Sequence, residues 1–461
     1  MALANDALTP WPEEFVDRYW SVGQWRGATL DNLLRGWALD HGPRTALIDA
    51  DTGERVTYAR LNRRADRMAA GFRLRGMRPG MRVVVQLPNV PEHLVALFAL
   101  LRAGLVPVIC PPDRRTAEVT RLVRATQAVG YLGPGLLDGF DHTAMAAEIA
   151  AQEVFLRRVF TWEPPGAVSP YIGGLTTDPV GCQYGPLGSV DAPPEPPLSP
   201  RADRVALLLP ARERPEPVDA GPWLVPRGHD DYACQVRGAA ERAGLVEGDV
   251  YLGALPLSVD LVLGGPGPLG VLAAGGAVVL TGETGPEALA ATALRERVTV
   301  LAVPEERAAA LLGAPTWATA PDAGPRLVQL LADAPAAAAP AAGAGPLPGV
   351  GARAQRVFGT AEGVLLASVP ADPGPGEHEP AGPLRPLSID DEFRVVDADG
   401  APVPDGEPGE LLARGPHTAR GYHRAPERDA RTFTADGRLR TGLRARRTPD
   451  GDLLLSAAPR M

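Results

Sequence analysis

The sequence predicts an α/β protein, with parallel sheets covered by helices and a small β unit after them. Two observations predict it: short apolar strand-like runs alternate with amphipathic helical segments, and near residue 370 the texture changes to short strands and turns. In Tyr58–Arg75, Leu61, Ala65, Met68, Ala69 and Phe72 recur at helical spacing. Arg82–Leu87 (RVVVQL) reads as a strand, and Pro91–Ala103 as a helix with proline in its first turn and Gly104 as its stop. Val106–Cys110, Val205–Leu209, Val278–Leu280 and Val298–Val303 are further strands, and such strand–helix repetition implies parallel sheets faced on both sides. Leu252–Leu280 is the longest apolar stretch. Asp260 and the Gly/Pro cluster Gly264–Gly270 interrupt it, so it reads as strand, loop, helix and strand instead of a membrane span. Pro193–Arg201 and the Ala/Pro/Gly segment Pro335–Pro348 read as linkers. Beyond Pro370, FRVVDADGAPVPDGEPGELLARG carries a hairpin signal at Asp397–Gly400. The expected organisation is a core over residues 1–369, split near residue 202 into two subdomains, and a β subdomain over 370–461.

With 45% hydrophobic residues among 461, the chain can bury a core for two or three such units. A net charge of -9 with no basic stripe argues against nucleic acid or an anionic membrane as partner. The N-terminus, MALANDALTPWPEEF, has acids where a signal peptide has a basic and then an apolar region, so a cytoplasmic location is expected. Cys110, Cys182 and Cys234 lie far apart without CxxC spacing and read as buried thiols. Three adjacent side chains, His229-Asp230-Asp231, cannot easily converge on one metal ion. All 46 basic residues other than histidine are arginine, so chemistry needing a compact ammonium on a flexible stem must be done another way.

Several segments carry a resemblance: WPEEFVDRYW at 11–20, VTYARLNRRADRMAAGFRLRGMRPGMRVVVQLPN, FALLRAGLVPV, LGVLAAGGAVVL, RVFGTAEG and GELLARGPHTARGYHRAPE. In family order and across nearly the whole chain, they resemble the adenylate-forming superfamily. Within it they are most similar to stand-alone aryl-acid AMP ligases that activate 2,3-dihydroxybenzoate or salicylate for siderophores and nonribosomal peptides. The resemblance implies the large N-terminal domain of that fold, with two α/β subdomains and a small β-barrel-like one. Such enzymes use MgATP to turn a carboxylate into an acyl adenylate and pass the acyl group to a carrier-protein thiol. That chemistry needs phosphate donors, a cation, a magnesium carboxylate and an acid on the ribose.

The resemblance implies a nucleotide-site remnant at Phe358, Gly359, Thr360, Glu362 and Gly363, with the aromatic near adenine and Glu362 as magnesium ligand if nucleotide binds. Phe358 as plain core is the competing reading. The phosphate loop is degenerate. Residues 210–223 read PARERPEPVDAGPW, whose prolines remove N–H donors before Gly221 and whose acids repel a triphosphate; Trp223 stands at the lysine's place. Arg212 and Arg214 offer charge without the loop's backbone geometry. The ribose aspartate's position falls at Leu443. Leu331–Pro335 (LADAP) replaces the glycine-rich segment that lines the aryl pocket. The sequence given ends at Met461, where the resemblance implies a lysine-bearing C-terminal domain, so that domain is expected to be absent. In the acyl pocket the His-Asn pair and the serine become Val259, Asp260 and Gly265. Asp260 is open to two readings, a partner for a ligand ammonium, or an ordinary solvated or helix-capping acid or drift after loss of selection.

No GxSxG, HExxH, dinucleotide or HHxxxDG-like motif offers a replacement catalyst, and Cys234 reads as a small buried residue. No confident catalytic residue and no bound cofactor are expected. The preferred expectation is a degenerate adenylation-domain homologue of siderophore- or nonribosomal-peptide-type metabolism. It would act as a binding, scaffold or regulatory partner of a carrier protein or an active pathway enzyme, or hold a small acyl, aryl or amino-acid-like ligand. Two alternatives stay open: a MgATP-using ligase completed by a partner, and an ATP-independent enzyme on an acyl or aryl thioester.

Overall fold

The computed structural model describes residues 8–167, 171, 174–196, 201–211, 222–320, 323–332, 352–370 and 383–456. The linker Pro335–Pro348, most of the Leu331–Pro335 replacement, residues 197–200, and Arg212, Arg214 and Gly221 lie outside the described residues.

Two large sheets and one small one carry the fold. The eight-stranded sheet runs, in spatial order, Leu224–Gly228, Val205–Pro210, Val106–Ile109, Arg82–Val85, Gly130–Pro134, Arg158–Trp162, Gln183–Pro186 and Thr176–Thr177. Its inner pairs are parallel and its two outermost pairs antiparallel. The nine-stranded sheet has Val250–Gly253, Ala277–Leu280, Val300–Pro304, Leu327–Ala332 and Arg353–Gly359 as its parallel centre. Central strands such as Ala277–Leu280 and Val300–Pro304 are buried along their whole length, as a sheet with helices on both faces requires. The small sheet is antiparallel, from Glu392–Val396 through Gly409–Arg414 and Leu439–Arg447 to Leu453–Ser456.

The helical periodicities produce helices Tyr58–Leu74 and Pro91–Arg102. Thr57 caps the first by accepting the Arg60 N–H through its side chain, and the second starts on proline, whose missing N–H costs nothing there. Asp397–Gly400 does turn the chain: Gly400 has φ of +84°, and Asp397 Oδ1 accepts the N–H groups of Asp399 and Ala401. The strand before it nevertheless pairs mainly with Gly409–Arg414.

A boundary near residue 202 does not separate the two large sheets. Thr45–Asp49 precedes it yet lies parallel to Ala277–Leu280, with Leu47 opposite Val278. Val205–Pro210 follows it yet joins the first sheet, with Leu208 opposite Val108. Each strand is buried on both faces in its observed place, and burial, not chain order, sets membership. Likewise Arg385–Pro386, beyond residue 370, edges the nine-stranded sheet.

The helix Glu13–Ser21 crosses to the small sheet. Trp11, Tyr19 and Trp25 pack edge-on to one another with Phe15 tilted against them; the Arg414 guanidinium lies 4.3 Å from the Phe15 ring centre, and the Trp25 indole N–H donates to Pro416 O at 2.8 Å. Among the described residues no helix is long and apolar enough to cross a membrane.

Candidate functional site

The site forms where strand Leu224–Gly228 and helix His229–Ala243 meet the turn after strand Arg353–Gly359. Arg227, on that first strand, is completely buried. A buried guanidinium is tolerated only when acceptors surround it. Here Nε donates to Asp231 Oδ1 (2.8 Å), Nη1 to Ala361 O (3.1 Å), and Nη2 to Gln235 Oε1 and His417 O (both 2.8 Å). One side chain thereby fixes the helix, the turn carrying Glu362 and the segment around His417.

Gln235 passes the network on. Its Nε2 donates to Asp260 Oδ2 at 3.3 Å, and Tyr232 Oη donates to Asp260 Oδ1 at 2.8 Å. Burial lifts the Asp260 carboxyl above the ordinary aspartate range against the pull of Arg227. Of the two readings of Asp260, solvated acid is excluded, and both of its oxygens already have partners within the chain. Beside it, Leu261 and Leu365 take up the space over two glycines. A Cβ on Gly359 would lie 2.7 Å from Leu261 Cδ1, and one on Gly265 would lie 2.8 Å from Leu365 Cδ2. Val259 packs against the main core.

Phe358 sits in the core of the small sheet with Val364, Leu366, Leu411 and Leu443, so its ring is core. Leu443 faces the same cluster, and its N–H meets Thr441 Oγ1 at 3.1 Å. Gly363 closes the turn at φ +85°, where a Cβ would fall 1.9 Å from His417 O. His417, in turn, spans Gly363 O (2.8 Å) and Asp391 (3.0 Å). Glu362 is buried, with Oε1 accepting the Tyr422 hydroxyl at 2.8 Å, while Thr360 Oγ1 is buried without a hydrogen-bond partner. The Arg428 guanidinium lies 4.4 Å from the Trp223 ring centre and 4.5 Å from that of Tyr422.

The described residues fit a magnesium nucleotide poorly. Thr360 and Glu362 are of the right chemical type, and the orphaned Thr360 hydroxyl could be met by a ligand. Leu443, however, at the position the resemblance gives to the ribose acid, is packed into the core of the small sheet.

Elsewhere the side chains have internal partners. His229 Nδ1 accepts the Leu30 N–H (3.2 Å), Asp230 accepts those of Arg26 and Gly27, and Asp231 holds Arg227, so the three point to separate groups. The three cysteines are buried, and burial pushes the Cys234 thiol up to about 12, which makes it a poor nucleophile.

Sequence reasoning gave no role to Arg227, Tyr232, Gln235, His417, Tyr422 or Arg428. A buried arginine carries no local mark in a chain with 46 of them.

The model of the AMP-binding enzyme family matches residues 34–173 and 222–423. Triostin synthetase I of Streptomyces triostinicus is 38% identical over 453 residues, 98% of this chain and 79% of that protein. The salicyl-AMP ligase / salicyl-S-ArCP synthetase of Mycobacterium tuberculosis is 36% identical over 467 residues, 97% of this chain and 76% of its own. Among solved structures, that of Mycobacterium smegmatis MbtA without ligand superposes with a TM-score of 0.81 at 36% identity, covering 98% of this chain and 80% of that one.

Proposed function

The chain belongs to the AMP-binding enzyme family, and we propose that it is a homologue of the aryl-acid AMP ligases that does not itself form acyl adenylates. In this reading it serves as a binding or scaffold partner of a carrier protein or an active ligase in siderophore- or nonribosomal-peptide-type biosynthesis. The observation that supports the reading is that the residues to which the resemblance gives the acyl pocket make contacts within the chain. Asp260 is tied to Tyr232 and Gln235, and Leu261 and Leu365 lie against Gly359 and Gly265. Leu443, within the small sheet's core, supports it further, because an alkyl group cannot grip ribose hydroxyls.

The test is ATP–pyrophosphate exchange with salicylate, 2,3-dihydroxybenzoate and a panel of amino acids, beside an active aryl-acid ligase and with titration of MgATP. The reading expects no exchange and no saturable heat, together with capture of a carrier protein by the immobilised chain. Exchange with any of these acids overturns it.

A second reading, a ligase whose catalysis a partner completes, is favoured by the 36% identity to a salicyl-AMP ligase along 97% of this chain. It expects saturable MgATP binding by the chain alone and exchange only when the partner is added.

A further inference from the structure

The C-terminal end of helix Tyr58–Leu74 meets the first residues of strands Arg158–Trp162 and Gln183–Pro186 around an open pocket of about 500 Å³. Leu74, Arg75, Arg158, Leu175, Gln183 and Asp191 line it. Gln183 lies opposite Arg158 in a parallel pair of the eight-stranded sheet, so both side chains leave the sheet on one face. Open parallel sheets hold their ligands beyond the carboxyl ends of the strands, whereas this pocket lies at the amino ends. None of its lining residues takes part in the network of Arg227, Asp260 and Glu362.

Arg75 donates to Gly71 O (3.1 Å) and Ser189 O (2.5 Å), and its guanidinium carbon lies 5.6 Å from the Phe160 ring centre. Arg158 donates to Arg75 O from Nε (3.0 Å) and Nη2 (2.9 Å), and to Arg157 O from Nη1 (2.8 Å). These acceptors are all carbonyls, and among the described residues neither arginine has a carboxylate partner. Asp191 is already held by Arg67, whose Nε donates to it at 2.7 Å. A helix C-terminus supplies roughly half a negative charge, so against two guanidiniums the pocket keeps an excess of positive charge. Burial, and then the charge of Arg158, lower the Arg75 guanidinium below the ordinary arginine range, and burial lowers Arg158 likewise. A guanidinium has more N–H groups than these bonds use, so each arginine retains donors. Beside them the Gln183 amide makes no side-chain hydrogen bond among the described residues. Leu74 and Leu175, 73% and 44% exposed, give the pocket an apolar rim.

We propose that this pocket binds a small organic phosphate, a phosphomonoester dianion whose charge lies between Arg75 and Arg158 and whose apolar part lies against Leu74 and Leu175. A carboxylate would neutralise only one of the two cations, and planar donor forks suit the terminal oxygens of a phosphate. The pocket has the size of a small-molecule site, and a bare phosphate would leave most of it unfilled. The site is separate from the one around Glu362 and holds its ligand whether or not the chain forms acyl adenylates.

The experiment is calorimetric titration of hexyl phosphate, hexanoate and inorganic phosphate into the wild-type chain, Arg75→Gln, Arg158→Gln, Leu175→Ser and Arg121→Gln, with a melting curve for each. Hexyl phosphate is expected to saturate one site with a Kd of about 1 mM or tighter, and hexanoate to bind more weakly. Arg75→Gln and Arg158→Gln are expected to weaken hexyl phosphate at least about tenfold. Arg121→Gln, which removes an exposed charge on helix Thr116–Thr126, is expected to bind as wild type does. Leu175→Ser is expected to weaken hexyl phosphate and to leave inorganic phosphate unchanged. Should Arg75→Gln not fold, because Gly71 O and Ser189 O lose their donor, Arg158→Lys beside Arg158→Gln decides the same question, the lysine keeping part of the affinity that glutamine loses. No saturable heat with hexyl phosphate, equal losses in Arg121→Gln and Arg158→Gln, or hexanoate bound as tightly as hexyl phosphate overturns the proposal. ATP–pyrophosphate exchange judges the functional reading and does not enter this result.

Discussion

The hydroxyl of Tyr232 donates to Asp260 across 2.8 Å, and both groups are buried. A carboxylate that the sequence left open to a ligand is thereby the end of an internal chain that begins at Arg227. Removing it strands a donor: Asp260→Ala is expected to cost about 1–3 kcal/mol of stability in urea unfolding. Asp260→Asn, which keeps an acceptor for Tyr232, is expected to cost less. An equal loss in both variants would mean that the Tyr232 contact contributes nothing.

Arg227 ties three segments together, and its loss leaves the partly buried Asp231 without its ion pair. Arg227→Leu is expected to cost about 3–5 kcal/mol. Arg227→Lys shortens the reach and removes the fork of donors, so it is expected to be destabilising as well. Denaturation midpoints at constant slope would measure both.

Gly363 combines a left-handed backbone with a position only 1.9 Å from His417 O for any added Cβ. Gly363→Ala is expected to lower stability by more than about 1 kcal/mol, with faster hydrogen exchange in the turn around Glu362. A neutral result would show that the turn can relax away from His417.

Leu443→Asp tests whether restoring an acid restores a ribose contact. The side chain faces Phe358, Val364 and Leu411, so the substitution is expected to bury an unpaired carboxylate, to lower the melting temperature sharply and to give no nucleotide binding. A folded variant that binds AMP would contradict that placement.

His93 and His229 are each held down to about 4 by burial. Free histidine takes up its proton near pH 6.5, so between about 6.5 and 4 the unfolded chain binds protons that the folded chain refuses. Stability is therefore expected to be present above that window and to be lost as pH falls through it, by at most roughly 3 kcal/mol per histidine. His229→Asn, which removes one such group, is expected to flatten the profile measured by urea unfolding from pH 7.5 to 4.5.

The strands and helices were legible because apolar periodicity is a local property, as Leu61, Ala65, Met68 and Phe72 illustrate on the buried face of one helix. The membership of the AMP-binding enzyme family was legible as well, since it rests on residue types at recognisable positions. What lay beyond the sequence was pairing over distance. Thr45–Asp49 shows no sign that its neighbour is Ala277–Leu280, so a cut near residue 202 looked natural. Nor does Asp260 announce Tyr232, or Trp223 announce Arg428, because each partner arrives on a different element.

The clasp between the N-terminal helix and the small sheet bears on synthesis. Arg420 reaches back to Pro10 O, and the Trp25 indole to Pro416 O, across 410 and 391 positions of sequence. At about 5–20 residues per second, Trp11, Phe15 and Trp25 leave the ribosome roughly 20–80 seconds before their docking surface exists. Through that interval these three aromatic side chains wait in a nascent chain without their final partners. Docking of the Trp11–Trp25 segment on the small sheet therefore has to follow synthesis of residues 416–420.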